Sequence, residues 1–167
     1  MDKIVFITGA SSGIGAGCAR KFASQGASLI LNARNVNKLS ALKEELEKQY
    51  GAKIYLLPFD VRDRKAATSA LESLPKEWQS IDILVNNAGV VIGTDKEQEG
   101  SLDEWDIVID TNIKALLAMT RLIVPGMVER KRGHIINIGS IAGDAAYPGG
   151  SVYCATKAAV KALSDGL

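Results

Sequence analysis

The chain has 167 residues, enough for one domain with a hydrophobic core, and its 47% apolar and 23% charged residues are ordinary for a globular protein. A formal net charge of +1 and the absence of any apolar run near the roughly 18 residues of a membrane span argue against nucleic-acid and membrane partners. We expect a single domain over residues 1–167, located in the cytoplasm, with Cys18 and Cys154 as reduced packing residues and no metal site.

A glycine-rich loop follows the first predicted strand, Lys3 to Thr8. The loop reads Gly9-Ala10-Ser11-Ser12-Gly13-Ile14-Gly15, and a helix-like segment continues to about Gln25. In a strand–loop–helix unit, backbone N–H groups and the positive end of the helix face an anion. A plain tight turn would also use glycine, but so many glycines between a strand and a helix predict a site for the phosphates of a dinucleotide.

The second predicted strand, Ser28 to Ala33, ends without an acidic residue. A dinucleotide fold that selects NAD usually places Asp or Glu here, to bind the 2′-hydroxyl of the adenosine ribose. Arg34 and Asn35 follow the strand instead, and no acidic residue occurs between Lys3 and Lys43. Arg34 could be a solvated loop residue, but we predict that it receives the 2′-phosphate of NADP.

Helices and strands continue to alternate through the middle of the chain. Predicted helices cover Asn37 to Tyr50 and the segment from the capping residue Asp63 to about Leu74. Predicted strands cover Lys53 to Phe59 and Ile81 to Val85. A polar loop, Val90 to Gly100, follows.

Ser101 and Glu104 form a capping box that predicts the start of a long helix. Its expected apolar face consists of Leu102, Trp105, Val108, Ile109, Ile113, Leu116 and Leu117. Asn112 lies inside this helix, where asparagine is unfavourable. A core amide with satisfied hydrogen bonds would explain its presence, and so would a role in a functional site.

The fifth predicted strand runs from His134 to Ser140 and leads into a loop that contains glycines. His134 is the only histidine, and we interpret it as structural because it lies at the opposite end of the strand from Ser140. Beyond the loop, Tyr153 and Lys157 are spaced i, i+4, so on a helix they share one face. A positive charge beside a phenol favours the phenolate, so this pair can donate or accept a proton nearer neutral pH.

Strands that alternate with helices predict a doubly wound parallel sheet, a three-layer α/β/α Rossmann-like fold. In such folds ligands bind at the carboxyl ends of the strands, and Gly9, Asp60, Asn87 and Ser140 all fall at such ends.

The chain resembles the short-chain dehydrogenase/reductase family over essentially its whole length. The resemblance is carried by Thr8 to Gly15, Asp60-Val61, Asn86-Asn87-Ala88-Gly89, Asn112, Ser140 and Tyr153-x-x-x-Lys157. Within the family, the chain is similar to the NADP-dependent 3-hydroxy acid (serine) dehydrogenases in residues 74–78, 125–130, 134–140 and 147–150.

The resemblance implies an oxidoreductase that transfers a hydride between NADP(H) and a small alcohol or carbonyl, such as serine or 3-hydroxypropionate/malonic semialdehyde. Tyr153 would exchange the proton with the substrate oxygen, and Ser140 would hydrogen-bond that oxygen. Lys157 would favour the phenolate and hold the nicotinamide ribose, and Asn112 would hold a water that links Lys157 to solvent. The implied cofactor contacts are Gly9, Ser11, Ser12, Gly13, Ile14, Gly15, Arg34, Asn35, Asp60, Val61, Asn87, Ala88, Gly89, Tyr153 and Lys157.

The resemblance also implies a homodimer or homotetramer built through the long helix that begins at Leu102. One departure concerns length: the family's chains continue through further strands, whereas this sequence stops within the catalytic helix. We expect a piece of a longer protein rather than a natural short form. The fifth strand would then be a bare apolar edge, and such edges pair with other chains, so the isolated 167-residue chain should self-associate or need the missing part.

Two other functions fit part of the pattern, namely a nucleotide-binding module without catalysis and a purely structural interaction domain. The combination of Asn112, Ser140, Tyr153 and Lys157 argues against the structural domain, and a binding module has no need of a proton relay. An NADPH-oxidation assay with a panel of small carbonyl compounds separates the enzyme from the binding module.

Overall fold

Short apolar strands alternate with helices along the chain, as the sequence pattern predicts. The computed structural model describes residues 2–167. The strands are β1 (Ile4–Ile7), β2 (Ser28–Leu31), β3 (Ile54–Leu56), β4 (Ile83–Asn86) and β5 (His134–Asn137). The helices are α1 (Gly13–Ser24), α2 (Val36–Tyr50), α3 (Arg64–Glu72), α4 (Leu102–Ile109), α5 (Leu116–Glu129) and α6 (Ser151–Asp165). A π-helical turn, Asp110–Ala115, joins α4 to α5, and short 3₁₀ turns cover Lys76–Trp78 and Ile141–Gly143.

The strands form one parallel sheet in the order β3-β2-β1-β4-β5. The chain builds outward from β1 to β3, then returns to the other side of β1 for β4 and β5. This reversal of direction leaves a crevice at the carboxyl ends of β1 and β4, where ligands bind in doubly wound folds. The predicted fold class is confirmed.

Both faces of the sheet are covered, so the strands are apolar on both sides. Val5 and Ile7 belong to a core cluster that includes Leu39 of α2, and this cluster also takes in small residues of α1. Phe6 points to the opposite face and belongs to a second cluster, which includes Met119 of α5. Because successive strand residues alternate between faces, each strand contributes to both clusters.

The helix boundaries follow local capping chemistry. Asp63 Oδ1 accepts hydrogen bonds from two backbone N–H groups in the first turn of α3, each at 3.0 Å. Ser101 Oγ accepts from the backbone N–H of Glu104 at 3.4 Å, at the start of α4. Gly51 ends α2 in the left-handed conformation, with a φ of +61°. The predicted caps at Asp63 and Ser101 are confirmed.

The long helix predicted from Ser101 is interrupted by the π turn, which contains Asn112. A π turn uses more residues than an α turn, so the side chains that follow are rotated relative to an uninterrupted helix. Val108 and Leu116 are buried, but Leu117 is 44% exposed, and Leu102 in the first turn is 70% exposed. The prediction of one continuous apolar face was therefore wrong at Leu102 and Leu117.

Within residues 2–167, no helix combines the length and the apolar character required to span a bilayer.

In the described part of the chain, β5 lies at an edge of the sheet and pairs with β4 alone. Ile135 and Ile136 are half-buried there. We expect the isolated 167-residue chain to associate through this edge and to show a light-scattering mass above its monomer mass of 17.8 kDa at micromolar concentration. A dilution series should reduce the mass, and a uniform 17.8 kDa species at every concentration would contradict the expectation.

Candidate active site

A cleft of about 1090 Å³ opens at the carboxyl ends of the strands. Its volume lies slightly above the ~300–1,000 Å³ that is typical of ligand pockets, so it can hold an extended ligand. The predicted site residues that line it are Gly9, Ser11, Ser12, Ile14, Arg34, Asn35, Asp60, Val61, Asn87, Ala88, Gly89, Tyr153 and Lys157. Gly13, Gly15, Asn112 and Ser140 are not part of this lining.

Glycine is required in the loop after β1 because the backbone there approaches other backbone closely. Gly9 has a φ of +63°, and a Cβ at this position would stand 2.9 Å from Ala88 Cα. A Cβ at Gly15 would clash with the carbonyl oxygen of Gly9. Gly13 has a φ of +52° and no close neighbours, so only its conformation favours glycine. Gly15 therefore supports the loop from behind rather than lining the cleft.

The first turn of α1 keeps its backbone N–H groups available to a ligand. Ser12 precedes the helix, but its side chain makes no capping hydrogen bond, and the first turn contains no acidic residue. The unpaired N–H groups and the positive end of the helix dipole both favour a negatively charged ligand. The loop and helix start thus fit the phosphates of a dinucleotide.

The loop after β4 is tied to the loop after β1 by side-chain hydrogen bonds. Thr8 Oγ1 accepts from the backbone N–H groups of Asn87 and Ala88, both at 3.0 Å. Asn87 Nδ2 donates to the carbonyl oxygens of Thr8 and Gly9, also at 3.0 Å. These bonds hold the wall of the cleft rigid where the two strands end.

Positive charge is concentrated at the end of the cleft beyond β2 and β3. Arg34 is exposed, and its nearest acidic partner, Asp60 Oδ2, lies 4.0 Å from its Nη1. Asp60 is engaged instead by Arg62, whose Nη2 lies 2.7 Å from the same oxygen. The hydrogen bonds from Arg62 lower the pKa of Asp60, and the charge of Arg34 lowers it further. Arg34 thus keeps most of its donors free.

Two residues at this end of the cleft were missed by sequence reasoning. Arg62 and Lys38 both line the cleft near Arg34. Lys38 lies in the first turn of α2, which Asn35 caps by accepting the Lys38 backbone N–H at 2.9 Å. For Arg62, the available signal was its position just after the third predicted strand, and for Lys38 it was its position in the first turn of the helix predicted after the second strand. Three cations and one carboxylate leave an excess of positive charge here.

Asn112 lies behind the cleft and is only 2% exposed. Its Oδ1 accepts from the backbone N–H of Val90 at 2.8 Å, and its Nδ2 donates to the Val90 carbonyl at 2.9 Å. The same Nδ2 donates to Thr156 Oγ1 at 3.0 Å. The side chain is therefore a satisfied core amide that joins the loop after β4 to α6. Its predicted role in holding a water stays a prediction.

Tyr153 and Lys157 share one face of α6, as predicted. Lys157 Nζ lies 5.9 Å from the centre of the Tyr153 ring. The lysine is only 8% exposed, and its Nζ donates to the Ile138 carbonyl at 2.8 Å. Burial lowers the pKa of Lys157, because the charged form loses solvation. A neutral carbonyl does not compensate the charge, so the ammonium remains available to favour an anion beside it.

Ser140 precedes the turn Ile141–Gly143, which packs on α6 at Lys157, but it lies outside the lining of the cleft. Its Oγ accepts from the backbone N–H of Ala142 at 3.2 Å and caps the turn Ile141–Gly143. The hydroxyl hydrogen remains free for another acceptor. Direct contact with a substrate oxygen stays a prediction.

The residues interpreted as structural lie away from this arrangement or are packed. His134 is exposed at the amino end of β5, opposite the cleft. Trp78 packs on Tyr55 with ring centres 5.6 Å apart. Among residues 2–167, Cys18 and Cys154 are free thiols, and Cys154 is buried in α6.

Comparisons with known proteins agree with this geometry. The sequence profile of the family described as short chain dehydrogenase matches residues 3–167. The chain is 49% identical over 161 residues to the NADP-dependent 3-hydroxy acid dehydrogenase YdfG of Escherichia coli K12, a match that covers 96% of this chain and 63% of that protein. It is 43% identical over 166 residues to the NADP-dependent 3-hydroxy acid dehydrogenase of Schizosaccharomyces pombe, covering 99% of this chain and 64% of that protein.

Among solved structures, the chain is similar to serine dehydrogenase from Escherichia coli, with a TM-score of 0.92 and 48% identity. That match covers 98% of this chain and 74% of the other. The chain thus spans about 63% of the length of the curated bacterial relative but 74% of the solved chain.

Proposed function

Since the chain belongs to the short-chain dehydrogenase family, we propose that it forms the cofactor-binding and proton-transfer part of an NADP-dependent oxidoreductase. The reaction is the transfer of a hydride between NADP(H) and a small alcohol or carbonyl compound. The observation that carries the proposal is the buried ammonium of Lys157 beside Tyr153, in the same cleft as an open helix start and the exposed Arg34.

Several features of this chain fit the cofactor. The open first turn of α1 suits the pyrophosphate, and the Arg34 end of the cleft suits an additional phosphate. Relatives and similar structures point the same way, because they include NADP-dependent enzymes and a closed serine dehydrogenase in complex with NADP+. Bound NADP(H) supplies or accepts the hydride, and the protein orients and polarises the reactants.

The chain's own residues would move the proton. Tyr153 gives its hydroxyl proton to the substrate oxygen during reduction and takes one back during oxidation. The Lys157 ammonium stabilises the phenolate that forms, because opposite charges attract strongly in a poorly solvated site. Ser140 donates its hydroxyl hydrogen to the substrate oxygen. Asn112 fixes the loop at Val90 and α6 relative to each other, which keeps the tyrosine over the cleft.

Loss of NADPH absorbance in the presence of small carbonyl compounds tests the proposal. The assay is run on the 167-residue chain and on the full length of its reading frame, with NADPH binding measured by fluorescence in parallel. Turnover supports the oxidoreductase. Binding without turnover of any compound by the full-length protein would indicate a nucleotide-binding module instead.

We further propose a 3-hydroxy acid as the substrate class. Support comes from the names of the relatives and the serine dehydrogenase structures. Serine, 3-hydroxypropionate and malonic semialdehyde should have higher kcat/KM than their uncharged alcohol and aldehyde analogues. Equal values for the charged and uncharged compounds would contradict this substrate class.

Arg34→Ala is expected to raise the KM for NADPH by about 10- to 100-fold, because a charge-assisted hydrogen bond contributes about 1.5–3 kcal/mol. The KM for NADH should change by no more than about twofold, since NADH has no 2′-phosphate. Steady-state kinetics with both cofactors measure the difference.

Arg20→Ala is the matched control for this prediction. Arg20 pairs with Glu45 on the surface, with an Arg20 Nε–Glu45 Oε1 distance of 2.6 Å, and it does not line the cleft. Its removal should leave both KM values unchanged. If Arg34→Ala raised the two KM values equally, Arg34 would not be the residue that distinguishes the cofactors.

A further inference from the structure

The segment that contains Ser140 contacts Lys157 at two points, and one of them is Gly143, a glycine of the loop after β5 to which no individual role was assigned. We propose that Gly143 is a positioning residue, whose missing side chain lets the Ser140 turn lie directly on the backbone of α6 at Lys157. The inference rests on the proposed function, in which Ser140, Tyr153 and Lys157 act together.

The first contact joins the backbone of Gly143 to the backbone of α6 at Lys157. A Cβ built at Gly143 would stand 2.7 Å from the Lys157 carbonyl carbon, 2.8 Å from its oxygen and 2.9 Å from the Ala158 nitrogen. These are main-chain atoms in the middle of a helix, which cannot move aside as a flexible side chain can. Any side chain at residue 143 must therefore push the turn and the helix apart.

The second contact is a hydrogen bond made by the side chain of the same lysine. Lys157 Nζ donates to the carbonyl of Ile138 at 2.8 Å. Ile138 and Gly143 flank Ser140 along the chain, so one short segment holds both the backbone and the ammonium of Lys157. The turn itself is closed by the Gly143 N–H, which donates to the Ser140 carbonyl at 3.0 Å. Ser140 and Lys157 therefore keep a fixed spacing in the protein without help from a ligand.

A third contact between the same elements is a surface ion pair. Asp144 and Lys161 form it, and their side chains are 62% and 63% exposed. Exposed pairs contribute about 0–1 kcal/mol, so this one is too weak to set the spacing. The backbone contact at Gly143 therefore sets the distance between the turn and α6, because main-chain atoms on both sides cannot move apart independently.

The test combines kinetics with a chemical measurement on the full-length protein. Gly143→Ala should lower kcat by about 10²-fold, the cost of a displacement of about 1 Å between catalytic groups. The KM for NADPH should stay within about threefold, because none of the residues proposed to bind the phosphates and the adenosine lies on the Ser140 turn or on α6. Acetylation of Lys157 by acetic anhydride, followed by mass spectrometry, should become severalfold faster, while acetylation of the exposed Lys161 stays the same.

Gly17→Ala is the matched control, because Gly17 is exposed on α1 and a Cβ there would meet no atom within 4 Å. It should change neither kcat nor Lys157 acetylation. The labelling needs no substrate, so it still tests the contact if the NADPH-oxidation assay shows that the proposed reaction is wrong. Wild-type kcat together with wild-type acetylation in Gly143→Ala would overturn the proposal.

Asp144→Ala covers the case in which Gly143→Ala does not fold. This variant removes the surface ion pair and leaves the backbone contact intact. Its kcat and Lys157 acetylation should stay within about twofold of the wild type, as expected for an exposed pair. A tenfold or larger loss of kcat in Asp144→Ala would mean that the ion pair sets the spacing, and the role assigned to Gly143 would be wrong.

Discussion

Tyr153→Phe is expected to lower kcat by about 10²- to 10⁴-fold, the usual contribution of a positioned general acid or base. Phenylalanine keeps the ring on α6 and removes only the hydroxyl that exchanges the proton. NADPH affinity should stay within about twofold, because the residues proposed to bind the phosphates and the adenosine lie in the loops after β1, β2 and β3, whereas Tyr153 lies on α6. Steady-state kinetics and a fluorescence titration with NADPH measure the two quantities.

Tyr50→Phe is the control for this substitution, since Tyr50 lies at the exposed end of α2, away from the cleft. It should have wild-type kinetics. Substantial turnover by Tyr153→Phe, with wild-type stability, would show that another group supplies the proton.

Lys157→Met is expected to have the second large effect, a fall in kcat of about 10²-fold or more, because the charge that favours the phenolate is lost. The methionine side chain is about as long as that of lysine and is apolar, so it can occupy the buried position. In the wild type, kcat should also fall as the pH rises into the alkaline range. Burial lowers the pKa of Lys157, so the ammonium loses its proton at a lower pH than an exposed lysine would.

The pH profile of kcat separates these effects. In Lys157→Met, the alkaline decline that comes from the lysine should be absent. Lys161→Met removes an exposed lysine one turn further along α6 and should leave both kcat and its pH profile unchanged. An identical alkaline decline in the wild type and Lys157→Met would exclude Lys157 as its source.

Much of the fold could be predicted because its signals are local. Apolar runs marked the five strands, and Asp63 and Ser101 marked two helix starts through their own capping bonds. The strand ends were less accurate: β3 covers Ile54–Leu56, whereas the prediction extended from Lys53 to Phe59. Strand length depends on pairing with a neighbour, which a propensity cannot specify.

The site was predicted unevenly, for a similar reason. The residues that line the cleft lie at strand ends, and in a parallel sheet all carboxyl ends meet at one edge, so their proximity followed from topology. Arg62 was missed because its orientation depends on the hydrogen bonds it makes to Asp60, and Gly143 because its contact is with a helix that begins later in the chain. The contact of Gly143 has no short-range pattern in the sequence, whereas Arg62 lies only two residues after Asp60 and follows the end of the third predicted strand.

The sequence by itself determined the parallel α/β architecture, the phosphate loop and the shared face of Tyr153 and Lys157, because each depends on residues close together in the chain. Only the tertiary structure decided that a π turn places Asn112 between Val90 and Thr156, and that Leu102 and Leu117 face solvent. It also decided that Lys157 is buried, that its Nζ donates to the Ile138 carbonyl and that its backbone contacts Gly143. Burial, helix phase and backbone contact arise from packing between distant segments, and no single segment contains that information.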